Sequence, residues 1–160
     1  MTLISLIDMH MHTTASDGAS SPAELVRKAN AVGLKLISIT DHDTIDGLAE
    51  GIAEAEQLGI NFINGVELSV MYKTQLYADG KKATEIHLLG YGFDPTNAEL
   101  RIVLEENKEY RIWRARQIVA KVNPLLTSQG QTPIADEYLN ETLRTAEGAF
   151  GRPHLANMLI

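Results

Sequence analysis

The sequence predicts an α/β fold in which short strands alternate with helices. Apolar runs rich in Ile and Leu are separated by segments of helical periodicity, and Gly33 and Gly59 mark the ends of the first two predicted helices. Ionisable residues follow the apolar runs, as in Asp41-His42-Asp43. Strands and helices that alternate at this spacing are typical of parallel βαβ units, whose functional side chains collect at the carboxyl ends of the strands.

The first predicted strand, Leu3 to Met9, is apolar enough to be buried on both faces and runs into His10-Met11-His12. Side chains alternate along a strand, so His10 and His12 point the same way with Cα atoms roughly 6.5–7 Å apart. Two imidazoles at that spacing either share a metal ion or are hydrogen-bonded histidines of the core. The polar turn over residues 13–18 brings Asp17 towards the same strand end and adds an oxygen donor.

The next two units repeat this design. An N-cap serine, an early proline and an acid at residues 20–24 mark the start of the first helix. The predicted elements are a helix from there through about Val32, a strand from Lys35 to Thr40, a helix from about Ile45 to Leu58 and a strand that begins at Ile60. The second strand runs into His42, and the third carries Glu67 towards its end.

A fourth strand is predicted from Ala83 to Phe93, after a hairpin-like excursion that contains the turn signal Asp79-Gly80. This strand places His87 within an apolar run. A lone histidine there is ordinarily a core residue. Because the three preceding strands each carry ligand-type side chains, we instead predict that His87 is a further metal ligand.

The second half of the chain is predicted to be helical, with a long charged helix from Asn97 to Val122. Its basic residues are Arg101, Lys108, Arg111, Arg114 and Arg116. Glutamates interrupt them, which favours a solvated face with i,i+4 ion pairs over nucleic-acid contact. Tyr110 and Trp113 are predicted to pack rather than to stack on bases.

Pro124 is expected to loosen the chain before a short helix over Ile134 to Leu143. The last segment, Gly148 to Ile160, opens an apolar helix without a stop signal, which suggests a fragment of a longer protein.

Composition limits the classes of function. The 160 residues carry a net charge of −7 with 44% apolar residues, which indicates a soluble domain without a broad basic surface for nucleic acid. Cysteine is absent, so any metal must be held by His, Asp and Glu. No apolar run approaches the ~20 residues of a membrane span, and the amino terminus is unlike a signal peptide. We therefore predict a cytoplasmic protein with no membrane partner.

The predicted strand ends gather a set of nitrogen and oxygen donors in successive units. The set is His10, His12, Asp17, His42, Glu67 and His87. It predicts a multinuclear metal site. Paired ions clamp the attacking and leaving oxygens of a phosphoryl displacement and acidify bound water, so phosphoester hydrolysis is the chemistry that the set favours.

The motifs that carry these donors resemble those of the polymerase and histidinol phosphatase (PHP) superfamily. They are His10-Met11-His12 with Ser16-Asp17-Gly18, Thr40-Asp41-His42-Asp43, Gly65-Val66-Glu67-Leu68-Ser69 and His87-Leu88-Leu89-Gly90-Tyr91, and Gly151-Arg152-Pro153-His154 resembles a later motif. The resemblance is strongest to bacterial nucleoside 3′,5′-bisphosphate phosphatases and 5′-to-3′ exoribonucleases. It implies the N-terminal part of a distorted (β/α)7 barrel over residues 1–95. A helical insertion over 96–147 would follow the fourth strand, and a truncated return to the barrel would occupy 148–160.

The resemblance also implies up to three divalent ions, Mn²⁺, Zn²⁺ or Fe²⁺. His10 and His12 would hold one ion, Glu67 would bridge it to a second that also binds His87, and Asp17 and His42 would hold the third. Glu67, His42 and Asp17 would thereby be the catalytic residues. A metal-bound hydroxide would attack the phosphate ester of a nucleotide, a short RNA or another phosphorylated small molecule.

Residues beside the ligands have implied roles as well. Arg152 and His154 would contact substrate phosphate, while Asp41 and Asp43 would orient ligands or cap a helix. The family completes its site with a further histidine and a His-x-Asp motif, but no histidine follows His154. We therefore expect an incomplete site, and an inactive protein, when this chain is taken alone.

Two other functions stay open. One is a non-catalytic PHP domain that metal stabilises, and the other is a phosphatase for histidinol phosphate or another small phosphomonoester. No stable nucleic-acid complex is expected.

Overall fold

The computed structural model describes residues 6–72, 84–145 and 150–159. Its strands are β1 (Ile7–Met11), β2 (Leu36–Ile39), β3 (Asn61–Phe62), β4 (Gly65–Tyr72) and β5 (Thr84–Tyr91). Its helices are α1 (Pro22–Ala31), α2 (Leu48–Leu58), α3 (Ala98–Ser128), α4 (Asp136–Thr145) and α5 (Arg152–Asn157). The predicted α/β class and the alternation of β1 to β3 with two helices are confirmed.

The strands β1, β2 and β3 form a parallel sheet in that order. Ile37 and Ile39 of the central strand β2 are fully buried and pack in one apolar core with Val26 of α1 and Ala55 of α2. The strand β1 borders the sheet, and Ile7 is 52% exposed. The prediction of a first strand buried on both faces was therefore wrong, because in the described ranges β1 pairs with β2 alone.

Local signals explain where the first two helices lie. The hydroxyl of Ser21 accepts a hydrogen bond from the Glu24 backbone, and the Glu24 carboxylate accepts one from the Ser21 backbone, so the pair forms a capping box. Gly59 ends α2 with a φ of 68°, a left-handed conformation that suits glycine. Helix α2 begins three residues later than predicted, at Leu48 rather than Ile45.

The third predicted strand is in fact two strands. β3 stops at Phe62, and β4 begins at Gly65 and pairs antiparallel with β5 in a separate sheet. A side chain on Gly65 would overlap Ser38 and approach the Ile39 carbonyl oxygen to 2.7 Å, so glycine allows β4 to pass close over β2. Consequently Glu67 is the third residue of β4, and neither it nor His87, in the middle of β5, lies at a strand's carboxyl end as predicted. The turn predicted at Asp79-Gly80 lies outside the described residues.

Helix α3 is longer than predicted, because it continues through Pro124 to Ser128. Proline removes one helical hydrogen bond, but Leu126, two residues beyond it, is still packed against an apolar core. Ala115 and Val119 are buried in a second apolar core with Leu139 of α4 and Leu155 of α5. The short helix predicted near residue 134 is confirmed as α4. In the described ranges, no helix is both long and apolar enough to cross a membrane. The division into segments 1–95, 96–147 and 148–160 stays a prediction.

Candidate metal centre

The side chains predicted as metal ligands lie together beside the carboxyl ends of β1 and β2 and against the β4–β5 hairpin. They form three overlapping groups: His10, His12 and Glu67; His12, Asp17 and His42; and His42, Glu67 and His87. Within each group one potential ligand atom from every residue lies within 4.8 Å of the others. The structure therefore brings together all six donors that the sequence singled out.

Glu67 lies at the centre of the cluster, with its side chain 6% exposed. Its Oε2 is 2.8 Å from His10 Nε2 and 3.0 Å from His12 Nε2, and its Oε1 is 2.8 Å from His87 Nδ1. Burial raises the pKa of this carboxyl. The hydrogen bond with His10 and the charges of His42, His10 and His12 outweigh burial and lower the pKa below its ordinary value. Glu67 is thus an ionised acceptor that faces several imidazoles.

His42 has a buried ring nitrogen that fits metal ligation. Its Nδ1 makes no hydrogen bond within the described part of the chain and lies 3.7 Å from Glu67 Oε2, too far for one. Burial lowers the pKa of His42, although the nearby carboxylates Glu67 and Asp17 act in the opposite direction. A neutral imidazole with an unpaired nitrogen is the form that binds a divalent ion. This observation, with the mixed nitrogen and oxygen donors around it, shows that the residues fit such a metal.

Asp17 reaches the cluster from the loop after β1. Its Oδ1 lies 3.6 Å from His12 Nδ1, and its Oδ2 lies 3.8 Å from His42 Nε2. The chain folds back so tightly here that a Cβ on Gly18 would lie 2.7 Å from the Thr13 backbone nitrogen. Only glycine fits at this crossing, and it places Asp17 opposite the two histidines.

Asp41 holds that loop in place. Its carboxylate accepts hydrogen bonds from the Thr13 backbone at 2.7 Å, the Thr13 hydroxyl at 2.6 Å and the Ser16 hydroxyl at 2.6 Å. All three residues are buried. Asp41 therefore orients the loop that carries Asp17, one of the two roles expected for it. The N-cap of α2 is Gly47, which makes no side-chain cap, so helix capping is not that role.

Arg111 of α3 lies close to the donor cluster, and its burial was not predicted from the sequence. It was expected on a solvated face but is only 6% exposed. Its Nε lies 2.6 Å from Asp43 Oδ2, so the two form a buried ion pair one residue away from His42. A sequence signal existed, because Arg111 lies seven residues after Leu104 and four before Ala115, within the buried stripe of the helix.

Tyr110 and Trp113, which were predicted to pack rather than to stack on bases, lie outside both apolar cores. Trp113 is 55% exposed, and its ring stacks on that of Tyr110 at a centroid distance of 5.5 Å. The prediction that these two residues pack holds only for their contact with each other.

Arg152 and His154 lie outside the three groups. Arg152, whose side chain is 70% exposed, donates to Glu85 Oε2 at 2.7 Å, and Glu85 lies two residues before His87 on β5. His154 Nδ1 accepts a hydrogen bond from the Gly151 backbone at 3.0 Å. Their contact with substrate phosphate stays a prediction.

Comparison with known proteins bears directly on this cluster. Residues 8–145 match the PHP domain family, a range that contains every donor of the three groups. The chain belongs to the PHP domain family. The resemblance drawn from the sequence motifs is thereby confirmed.

Relatives of this PHP domain include two curated enzymes and a solved structure. The 3′,5′-nucleoside bisphosphate phosphatase of Chromobacterium violaceum is 40% identical over 116 residues, which are 72% of this chain and 38% of that enzyme. A 5′-3′ exoribonuclease of Haemophilus influenzae is 34% identical over 153 residues, 96% of this chain and 50% of that enzyme. The structure of an amidohydrolase from C. violaceum, with bound sulfate and no metal, matches with a TM-score of 0.77 and 34% identity over 97% of this chain and 49% of that one. The chain thus spans half or less of the length of these relatives.

Proposed function

We propose that this PHP domain provides metal ligands for a phosphoesterase that hydrolyses phosphate esters of nucleotides or short RNA. The observation that carries the proposal is the clustering of the six donors in three overlapping groups, two of which contain Glu67. The similarity to a nucleoside bisphosphate phosphatase and to an exoribonuclease supports the substrate class.

The proposed ligand roles follow the positions of the side chains. His10 and His12 would hold one ion, Glu67 would bridge it to a second that also binds His87, and Asp17 and His42 would hold a third. Divalent Mn, Zn or Fe, when bound, supplies positive charge for phosphoryl oxygens and lowers the pKa of a water ligand.

The chain's own residues prepare the site for this chemistry. Glu67 stays ionised at neutral pH because its pKa is lowered, and His42 stays neutral because burial lowers its pKa. Both states are the ones that ligation requires, so no proton needs to leave these groups before a metal binds. His10 and His87 are exposed on the open side of the cluster, which gives a phosphate ester a direction of approach.

Arg152 and His154 are proposed to contact the substrate phosphate. Arg152 is paired with Glu85 in the structure, so a phosphate would have to displace that carboxylate. An exposed ion pair of this kind contributes at most about 1 kcal/mol, which a doubly charged phosphate can offset.

The substitution Glu67→Gln tests the proposal. Glutamine keeps the shape of the side chain but removes the charge that the imidazoles surround. Removing a group that only supports a metal ligand already costs about 10–100-fold, so in a longer protein that carries this chain we expect at least a ~100-fold loss in kcat/KM for a nucleoside 3′,5′-bisphosphate with added Mn²⁺. The melting temperature without metal should change only modestly. Glu56→Gln, an exposed glutamate on α2, is the matched control.

Elemental mass spectrometry of the purified protein, and of a longer protein that carries this chain, should precede the kinetics. No metal in either protein would refute the proposal. Metal without turnover of nucleotide, RNA or histidinol phosphate substrates would instead support a non-catalytic domain stabilised by metal.

A further inference from the structure

We propose that Arg111 is a positioning residue for the metal centre and that it acts through Asp43 and Ser69. The inference rests on the proposed metal function, but it concerns α3, which contributes none of the six donors. A single buried guanidinium would then link the helical segment to the ligand-bearing loops.

The guanidinium of Arg111 contacts three separate segments of the chain. Its Nε and Nη2 both lie 2.6 Å from Asp43 Oδ2, and Nη2 donates to the Ser69 hydroxyl at 2.8 Å. Its Nη1 donates to the Phe150 carbonyl at 3.4 Å. The planar, rigid arrangement of donors fixes these partners relative to one another in a way that a lysine ammonium would not.

Two of these segments carry candidate ligands close to the contact. Asp43 directly follows His42, and its Oδ1 accepts a hydrogen bond from the Ser69 backbone at 2.8 Å. Ser69 lies two residues after Glu67 on β4 and pairs across the hairpin with His87. Arg111, Asp43 and Ser69 therefore connect the loop of His42 to the hairpin that presents Glu67 and His87.

Asp43 depends on this arrangement. Its φ is 50°, a left-handed value that is uncommon outside glycine, and its side chain is fully buried. Besides Arg111, Asn107 of α3 donates to the carboxylate at 2.9 Å. A buried carboxylate without its cation is strongly unfavourable, so removing the guanidinium should displace Asp43. A cavity of about 410 Å³ bordered by Asp43, Ser69 and Arg111 leaves room for that displacement, which would carry His42 with it.

Mn²⁺ binding to the purified protein by isothermal titration calorimetry tests the inference. Arg111→Met should weaken Mn²⁺ binding about 10- to 100-fold, the usual effect of losing a group that supports a ligand. Arg111→Lys should recover part of that loss, since it restores the charge but not the fixed geometry. Arg116→Met, an exposed arginine on the same helix, should bind Mn²⁺ like the wild type.

Two further measurements separate positioning from general destabilisation. The visible absorption of bound Co²⁺, which reports ligand geometry, should differ between Arg111→Lys and the wild type even where both are fully folded by circular dichroism. The double variant Arg111→Met with Asp43→Asn should bind Mn²⁺ no more weakly than Arg111→Met alone, because each change removes the same ion pair between Arg111 and Asp43.

The outcomes distinguish this inference from the proposed function. Wild-type Mn²⁺ affinity and an unchanged Co²⁺ spectrum in folded Arg111→Lys and Arg111→Met would overturn the positioning role while leaving the metal site intact. If Arg111→Met does not fold, Arg111→Lys and Asp43→Asn decide by the same readouts. Absence of Mn²⁺ binding by the wild-type protein would overturn the metal function and, with it, this inference.

Discussion

Replacing Asp41 with alanine should destabilise the protein even in the absence of metal. The carboxylate accepts three hydrogen bonds of 2.6–2.7 Å from Thr13 and Ser16. Thr13 is 0% exposed and Ser16 is 1% exposed, so water cannot readily replace the lost acceptor. Each buried donor left without a partner costs about 1–3 kcal/mol. Because such costs are not additive and the loop can relax, we expect the free energy of unfolding to fall by about 3–5 kcal/mol.

Urea unfolding in EDTA, followed by circular dichroism, measures this loss. For a chain of this size about 1 kcal/mol corresponds to roughly 2–4 °C, so the melting temperature should fall by roughly 6–20 °C. Asp41→Asn keeps one acceptor oxygen and should lose only about 1–2 kcal/mol. Asp46→Asn, at an exposed position nearby, should stay within about 0.5 kcal/mol of the wild type. A loss below about 1 kcal/mol for Asp41→Ala would show that the loop does not depend on this carboxylate.

Two further predictions concern the hairpin. Gly65→Ala places a methyl group against Ser38 and the Ile39 carbonyl. The unfolding free energy should therefore fall by about 1–3 kcal/mol, and Mn²⁺ affinity should fall with it. If urea unfolding and titration calorimetry give the same values for this variant as for the wild type, the steric argument is contradicted. The second is a pH effect at Glu85, where burial raises the pKa but the hydrogen bond and charge of Arg114, with Arg152, lower it below the ordinary 4.5. Because the folded-state pKa is the lower one, the stabilisation is complete above about pH 4.5 and is lost as the pH falls through the folded value. In urea unfolding with EDTA at a series of pH values, the free energy of unfolding should decline less with falling pH for Glu85→Gln than for the wild type. Equal slopes of unfolding free energy against pH for the two proteins would exclude the effect.

The first half of the fold could be predicted because its signals are local. The capping box at Ser21 and Glu24, and the glycine that ends α2, depend on a few adjacent residues. The six donors could be predicted for a similar reason, since a histidine pair and ionisable residues beside apolar runs are visible in the sequence itself.

The remainder depends on contacts between distant segments. The division of the third strand at Gly65 follows from its approach to β2, and periodicity does not report that approach. Helix α3 continues past Pro124 because Val119 before it and Leu126 after it pack against one apolar core with residues far along the chain, in α4 and α5. Likewise, the charge of Arg111 by itself indicates an exposed side chain, because its partner Asp43 lies 68 residues away in the sequence.

The overlap of the three groups limits how many ions these residues can hold together. A neutral imidazole has one lone pair for a metal, because its other nitrogen carries the proton. His12 turns Nε2 towards Glu67 and Nδ1 towards Asp17, and His42 likewise divides its nitrogens between Glu67 and Asp17. Each histidine must therefore serve one group at a time, whereas the two oxygens of Glu67 can serve two. Among the described residues, the group of His10, His12 and Glu67 and the group of His42, Glu67 and His87 could each be complete at the same time, which would leave Asp17 alone. If His42 instead serves with Asp17, as proposed, the second ion would keep only Glu67 and His87.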